Sequence, residues 1–353
     1  GSAYIEYNNS KLFLMSASGI ITFSSDIEND QIQFKYIKTN IDDFVNFKEF
    51  NTTNDKNEYR FSIKDFLILK DKIFVSFTNK VSEDCYNISI IYGKLHLDKI
   101  NFEKFFFPNE CVLKKNVDNE FNAHQSGGRL AIFDNKNILL STGEFRHREK
   151  SQDAKSIFGK ILLINIESGN RKLISMGHRN PQGMFFDQQN KRIITSEHGP
   201  YGGDEININN NPLISIKNYG WPVSSYGDHY GGKNAATNKK KYKKYPLKKS
   251  HEKFGFEEPH ISFYPSIGIS QIINFNKDEI LISSLKEKAL FLLKLNEKFY
   301  NNNENFYSID VSLGDDPRKI YIGERIRDII YLSDQKLIIM FLESTASIGI
   351  INL

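Results

Sequence analysis

Four short segments of this chain gather residues able to do chemistry. The first, Asn122-Ala123-His124-Gln125-Ser126-Gly127-Gly128-Arg129-Leu130, sets a histidine just before a Gly-Gly turn. A loop imidazole that titrates near neutrality is a natural general base; the plainer reading is a surface histidine. The second, Gly177-His178-Arg179-Asn180-Pro181-Gln182-Gly183, packs a guanidinium, an amide and a rigid proline between two glycines. Arg followed by Asn offers several donors to an anionic or carbonyl-bearing ligand, unless the Arg only pairs with a neighbouring element. The third runs from Glu197-His198-Gly199-Pro200 through Gly203-Asp204-Glu205 to Asn218-Tyr219-Gly220-Trp221-Pro222. Carboxylates and backbone carbonyls in a Gly-rich loop are hard oxygen ligands of the kind Ca²⁺ takes; the alternative is that Asp204 and Glu205 cap turns. The fourth is split between Ser284-Leu285-Lys286 and Gly323-Glu324-Arg325-Ile326-Arg327-Asp328. Arg325 and Arg327 lie two apart and share one face of a strand. With Lys286 they would hold a polyanion such as a multi-carboxylate cofactor, or else form exposed salt bridges. No P-loop, GxGxxG, HExxH or GxSxG motif occurs, and the eight histidines show no metal-ligand spacing.

The elements that must position these segments are strands. One phrase recurs: two or three apolar residues, a polar turn, then an apolar run ending near Ser or Thr. It is read at 65–78, 129–144, 184–199, 272–286 and 328–344, with a weaker sixth copy at 10–24. Each copy has the signature of a hairpin, and no long stretch has a helical period. Six hairpin units in one chain imply radial repetition, in which each small sheet covers its faces by packing on its neighbours in a ring. The expected fold is all-β: one domain over 1–353, a six-bladed β-propeller of four-stranded antiparallel blades. A pair of β-sandwiches is the rival, and it leaves the sixfold recurrence unexplained. The copies are unevenly spaced, so insertions must leave the blades. The largest, at about 228–258, is Lys-rich.

The net charge of +4 is concentrated there, because Lys239 to Lys253 holds eight Lys and one Glu. The remainder is neutral to acidic, which argues against a nucleic-acid binder. The Lys-rich stretch reads as a solvated, mobile insertion or as a patch for an anionic partner. The longest apolar runs are about six residues, against the roughly 20 needed to cross a bilayer, so no membrane span is expected. Gly1-Ser2 reads as a cloning remnant, with a targeting segment expected to have been removed. Cys85 and Cys111 form no metal motif; one disulfide and two separate thiols are both open.

Taken in order, His124-x-x-Gly127-Gly128-Arg129-Leu130, Gly143-Glu144, Ser151-Gln152-Asp153, Gly159-Lys160-Ile161-Leu162, His178 to Gly183, Glu197 to Pro200, Gly203 to Glu205, Asn218 to Pro222, Ser284 to Lys286 and Gly323 to Asp328 resemble the soluble aldose sugar dehydrogenases of the glucose/sorbosone dehydrogenase family, which use pyrroloquinoline quinone (PQQ). The resemblance is strong from about residue 121 to 344 and poor before it. It implies a six-bladed propeller with PQQ and Ca²⁺ on its top face. It implies His124 as the base that takes the proton of a sugar's anomeric hydroxyl, hydride passing to the quinone to leave a lactone. Arg179 would polarise the quinone oxygen, and Asn180, Lys286, Arg325 and Arg327 would hold the cofactor's carboxylates and carbonyls. Tyr264 falls where an aromatic often lies over the cofactor ring. The carbonyls of Gly199 and Pro200 would ligate the site Ca²⁺, and Glu205 and Tyr219 match positions of a second, structural Ca²⁺. A sugar substrate, an external electron acceptor and a periplasmic or secreted location follow by the same resemblance. The stretch Arg60-Phe61-Ser62-Ile63-Lys64-Asp65 departs from the family's Gly-rich turn, Ala123 stands where some members have Asp, and Glu343 stands near a frequent Asp. The altered turn at 60–65 and the Lys-rich stretch motivate an alternative, a propeller that binds a glycan or protein without catalysis. A metal-assisted lactonase is a third reading, and it would need side chains converging on one Ca²⁺ in the central channel.

Overall fold

The middle strands of the repeats are apolar on both faces: Asn137–Thr142 and Leu337–Leu342 are buried along almost their whole length. Such strands can only lie between two other sheets, and the computed structural model places them so. It describes residues 1–27, 32–45, 47, 62–236, 238–296, 307–310 and 318–353. Arg60 and Phe61 lie outside the described residues. Six sheets are arranged around a central axis. Their innermost strands are Ala3–Asn8, Ile63–Leu69, Gly127–Ile132, Pro181–Asp187, Ile269–Asn276 and Ile326–Leu332. Each touches the next, and the last touches the first. We number the blades 1 to 6 in that order.

The blades hold three to five strands rather than a uniform four. Blades 1, 3 and 4 gain a fifth strand that pairs in parallel at the outer edge (Lys99–Ile100, Lys217–Asn218 and Tyr307–Asp310), whereas blade 6 has three. Outer edges are open to strands contributed by connecting segments, so strand number varies there and not at the centre. Five copies of the sequence phrase are the first two strands of blades 2 to 6. The weak copy at 10–24 is instead strands two and three of blade 1, Lys11–Ser16 and Ile21–Ser24.

Among the described residues the apolar core is six clusters, one at each interface between adjacent blades. Each fully buried Phe, such as Phe74 or Phe291, contributes about 1.5–3 kcal/mol. The Ser at the end of the repeated phrase stitches the ring. Ser76 Oγ donates to Gly128 O at 2.5 Å, Ser141 Oγ to Pro181 O at 3.3 Å and Ser196 Oγ to Ser270 O at 2.5 Å, each reaching the next blade. Ser270 Oγ continues the pattern to Arg327 O at 2.7 Å.

At the axis, Arg129 Nη1 donates to Asp65 Oδ1 (3.2 Å) and Asp328 Oδ1 (3.0 Å), and Nε donates to Gln182 O (3.0 Å). Its guanidinium lies 5.3 Å from the Tyr4 ring. One buried side chain thereby joins blades 1, 2, 4 and 6 to its own blade 3. Burial and the neighbouring Asp328 push the Asp65 carboxyl up to about 7, against the pull of Arg129.

Cys85 and Cys111 are bonded, closing a 26-residue separation in blade 2. The Lys-rich segment lies inside blade 4, between Asp204–Asn210 and Ile261–Tyr264. Its α-helix, Asn238–Lys244, packs back on the ring through Lys241, which pairs with Glu120. No helix of the described residues is long and apolar enough to cross a membrane.

Candidate active site

His124 sits on a single 3₁₀ turn, Ala123–Gln125, capped by Asn122, whose side chain accepts from His124 N at 2.8 Å. After it, Gly128 has a φ of +104° and passes so close to Lys64 that any Cβ would collide with that side chain. Asn180 Oδ1 accepts from Gly127 N (3.0 Å), which locks the His124 loop to the start of blade 4.

Arg179 is buried at that start and held from three sides. Its backbone N–H donates to Glu197 Oε1, and Glu197 Oε2 takes a 2.8 Å bond from His178 Nδ1. Its guanidinium lies 5.4 Å from the Trp221 ring. With the Gln125 amide oriented to donate to Glu144 Oε1 (2.6 Å), its oxygen accepts from Arg179 Nη2 at 2.8 Å. Burial pulls the Arg179 guanidinium down from its ordinary value while Glu144 opposes, and an Arg so placed stays charged. Burial in turn raises the Glu144 carboxyl, although Arg148 and Arg179 pull the other way.

These groups open on a cavity of about 370 Å³ whose wall includes His124, Arg179, Asn180, Lys286, Arg325 and Arg327. They come from blades 3, 4, 5 and 6, so closing the ring is what assembles the site. Gly199 also lines it. A second cavity of about 610 Å³ shares His124, Gln182, Arg325 and Arg327 and extends toward Lys64 and Glu343. Glu343 accepts from Arg325 Nε (2.9 Å) and from Arg327 Nε (2.9 Å) and Nη2 (2.7 Å). Burial would raise its carboxyl, but the Arg327 charge and the bonds from Ser2, Arg327 and Arg325 hold it at about 2. Lys286 Nζ donates to Ser266 O at 2.9 Å.

Four sequence-predicted residues lie elsewhere. Tyr264 ends the fourth strand of blade 4, more than half exposed, its ring beneath Gly202 and outside the cavity lining. Pro200 O accepts from Gly203 N at 3.2 Å. Glu205 and Tyr219 are buried behind the wall. Burial and the neighbouring carboxylates Glu197, Glu258 and Asp204 raise the Glu205 carboxyl well above its ordinary value. Asp204 behaves as the capping reading expects. Its Oδ2 accepts from Gly268 N (2.8 Å) and Ile269 N (3.1 Å), and its Oδ1 from Gly199 N (3.2 Å). Sequence reasoning missed Gln125, Glu144 and Tyr230. The first two sit inside motifs already singled out, but Tyr230 comes from the insertion and has no sequence signal.

The wall suits a polycarboxylated cofactor: Arg179, Lys286, Arg325 and Arg327 line one cavity with the Asn180 amide, and Glu343 is the anion that Arg325 and Arg327 already hold. The fit to cations is less complete. His198 O and Gly199 O converge on one point, and Arg179 Nη1 holds it, at 2.9 and 2.6 Å. Among the described residues no group of three or more His, Cys, Asp or Glu could hold a metal, so Ca²⁺ here would need these carbonyls together with oxygens of the cofactor. At the second position Tyr219 O already accepts from His251 Nδ1 (3.0 Å), with His251 Nε2 3.9 Å from Glu205 Oε1. The imidazole stands between the two groups, so a structural cation does not fit there as the side chains lie.

The model of the family described as Glucose / Sorbosone dehydrogenase matches residues 66–349. Aldose sugar dehydrogenase YliI of Escherichia coli is 30% identical over 246 residues, 64% of this chain and 61% of that protein. Quinoprotein glucose dehydrogenase B of Acinetobacter calcoaceticus is 35% identical over 151 residues, 33% of this chain and 30% of that protein. The matched stretch thus spans less than two thirds of these relatives. The fold is also that of the apo form of the soluble E. coli aldose sugar dehydrogenase, with a TM-score of 0.67, 21% identity and coverage of 99% and 94% of the two chains. A PQQ-bound aldose sugar dehydrogenase of Streptomyces coelicolor gives 0.64 at 17% identity, covering 98% and 88%.

Proposed function

The chain belongs to the Glucose / Sorbosone dehydrogenase family, and from that premise we propose that it oxidises an aldose to its lactone at the 370 Å³ cavity, using PQQ with Ca²⁺. The observation that carries this is the convergence of six predicted residues from four blades on one slot. When bound, the quinone supplies the acceptor for the hydride of the sugar's anomeric carbon. His124 is the group on the wall suited to take the anomeric hydroxyl proton, with Asn122 fixing its turn. Arg179, immobilised by Glu197, Trp221 and Gln125, offers preorganised positive charge where negative charge develops. Asn180, Lys286, Arg325 and Arg327 would hold carboxylates and carbonyls of the cofactor. Gly199 would give its carbonyl to the cation beside the Arg179 guanidinium that it already accepts from, and Pro200 would join it only by releasing Gly203 N. Tyr264 would close over the slot from its rim. Export to an oxidising compartment is supported by the Cys85–Cys111 bond.

The test is reconstitution with PQQ and Ca²⁺, followed by dye reduction with a panel of aldoses. The expected result is sugar-dependent reduction that His124→Ala lowers by about 10²–10⁴-fold with PQQ still bound. A second reading, a propeller that binds a glycan without catalysis, is favoured by the self-satisfied cations: Arg179 on Gly199 O, and Arg325 and Arg327 on Glu343. Failure to bind PQQ under saturating Ca²⁺ would decide for it.

A further inference from the structure

The Lys-rich segment divides its charges between two faces. The inner lysines are already partnered, two with carboxylates outside the insertion and one at its base. Lys241 pairs with Glu120, Lys244 lies 4.0 Å from Asp118, and Lys249 lies 3.2 Å from Asp228 and donates to Gly227 O at 2.5 Å. The outer ones, Lys233, Lys239, Lys240, Lys243 and Lys253, are exposed and form no ion pair among the described residues. Asp228 and Glu257 of the segment are paired with Lys249 and Lys217, which leaves Glu252 as its exposed carboxylate without an ion pair among the described residues. The helix that carries three of these lysines is tied to one residue of the cavity lining. Asn238 Nδ2 at its start donates to Tyr230 O (2.9 Å), and Tyr230 lines the cavity. Tyr242 of the same helix accepts from His229 N at 3.1 Å. The insertion therefore holds a strongly positive face on a helix anchored to Tyr230, a residue of the cavity lining.

We propose that this outer lysine face is the docking surface for an acidic one-electron carrier protein that collects the electrons of sugar oxidation. The inference rests on the dehydrogenase reading and adds the partner. Converting the anomeric hydroxyl to a lactone carbonyl removes two electrons and two protons. Two equivalents of the carrier are each reduced by one electron, and the protons pass to solvent. A small acceptor can enter the cavity itself and needs no outside surface; charge on the outer face of the insertion serves a partner too large to enter. Complementary charge would steer such a partner and raise its encounter rate, and salt would screen the effect.

The experiment uses cytochrome c before and after succinylation of its lysines, which turns one haem protein from basic to acidic. The PQQ- and Ca²⁺-loaded protein with an aldose should reduce the succinylated form at least about tenfold faster at low ionic strength, with the gap closing as salt rises. The triple variant Lys239→Glu, Lys240→Glu, Lys243→Glu should lose that preference while its rate with a small uncharged quinone stays at the wild-type level. Equal rates with both cytochromes, or a preference untouched by the triple variant, would overturn the proposal. Binding of succinylated cytochrome to the cofactor-free protein reads the same surface without turnover. Absent sugar oxidation with salt-sensitive, variant-sensitive binding therefore strikes only the dehydrogenase reading, and absent binding strikes only the docking surface. Tighter, lysine-dependent binding to phosphatidylserine vesicles than to the cytochrome would replace the carrier by a membrane surface and so refute it.

Discussion

Glu343→Gln tests how the cofactor-side cations are held. In the folded chain the Glu343 carboxyl is depressed from 4.5 to about 2 by Arg327, Ser2 and Arg325, against burial. At about 1.4 kcal/mol for each tenfold change in proton affinity, that is about 3 kcal/mol. Arg325 is nearly half exposed, so solvent screening reduces the expected loss to about 2 kcal/mol. The sign follows from linkage. A carboxyl whose folded value is depressed stabilises fully above its unfolded value, and the contribution disappears as pH falls through the window from about 4.5 to 2. Urea unfolding should show Glu343→Gln less stable than wild type by about 2 kcal/mol at pH 7, with the difference largely gone near pH 2. A difference that is unchanged at low pH, or a variant that is the more stable at pH 7, would refute the ion-pair account. The substitution also removes the internal anion that competes for Arg325 and Arg327. PQQ titrated into the variant should bind more tightly than to wild type, and weaker binding would mean that Glu343 positions the arginines rather than occupying them.

Three further outcomes are expected. Arg129→Met strands Asp65 and Asp328 in the channel and should cost about 3–5 kcal/mol. Both carboxyls already sit above their ordinary range, so its stability should fall as pH rises from about 4 to 7, the opposite of the Glu343 effect, and unfolding midpoints at the two ends of that window check this. Replacing Cys85 and Cys111 together by Ser opens a 26-residue loop and should cost about 3 kcal/mol, read as a lower midpoint matched by wild type under reducing conditions. Arg179→Lys keeps a charge but loses the fork that sends Nη1 to His198 O and Gly199 O and Nη2 to Gln125, and should lower turnover about 10²-fold with little change in the unfolding midpoint.

The blades were legible because their middle strands must be apolar on both faces and therefore stand out as runs. The Ser that ends each run was legible as a pattern, but its meaning, a bond to the next blade, needs the neighbour in place. Ala3–Asn8 escaped because AYIEYN carries a Glu and two tyrosines in a strand that faces the channel, where Glu6 is pushed well up by burial. His124, Arg179, Asn180, Lys286, Arg325 and Arg327 were legible through local motifs with a fixed order. What order does not show is who else holds a group. Arg179 resting on Gly199 O, Glu343 between two arginines, and His251 between Glu205 and Tyr219 all join residues far apart in the chain. Tyr264 was placed by motif, and its strand carries it to the rim. The Lys-rich segment read as a solvated run, which describes its outer face and not the lysines that bind Glu120 and Asp228.

The most direct test of the central claim is the absorbance of PQQ on the Ca²⁺-loaded protein when an aldose is added. Wild type is predicted to bind the quinone and bleach it on addition of sugar, and His124→Ala to bind it equally and bleach it at least 100-fold more slowly. No quinone binding at saturating Ca²⁺, or bleaching in His124→Ala at the wild-type rate, would contradict the account.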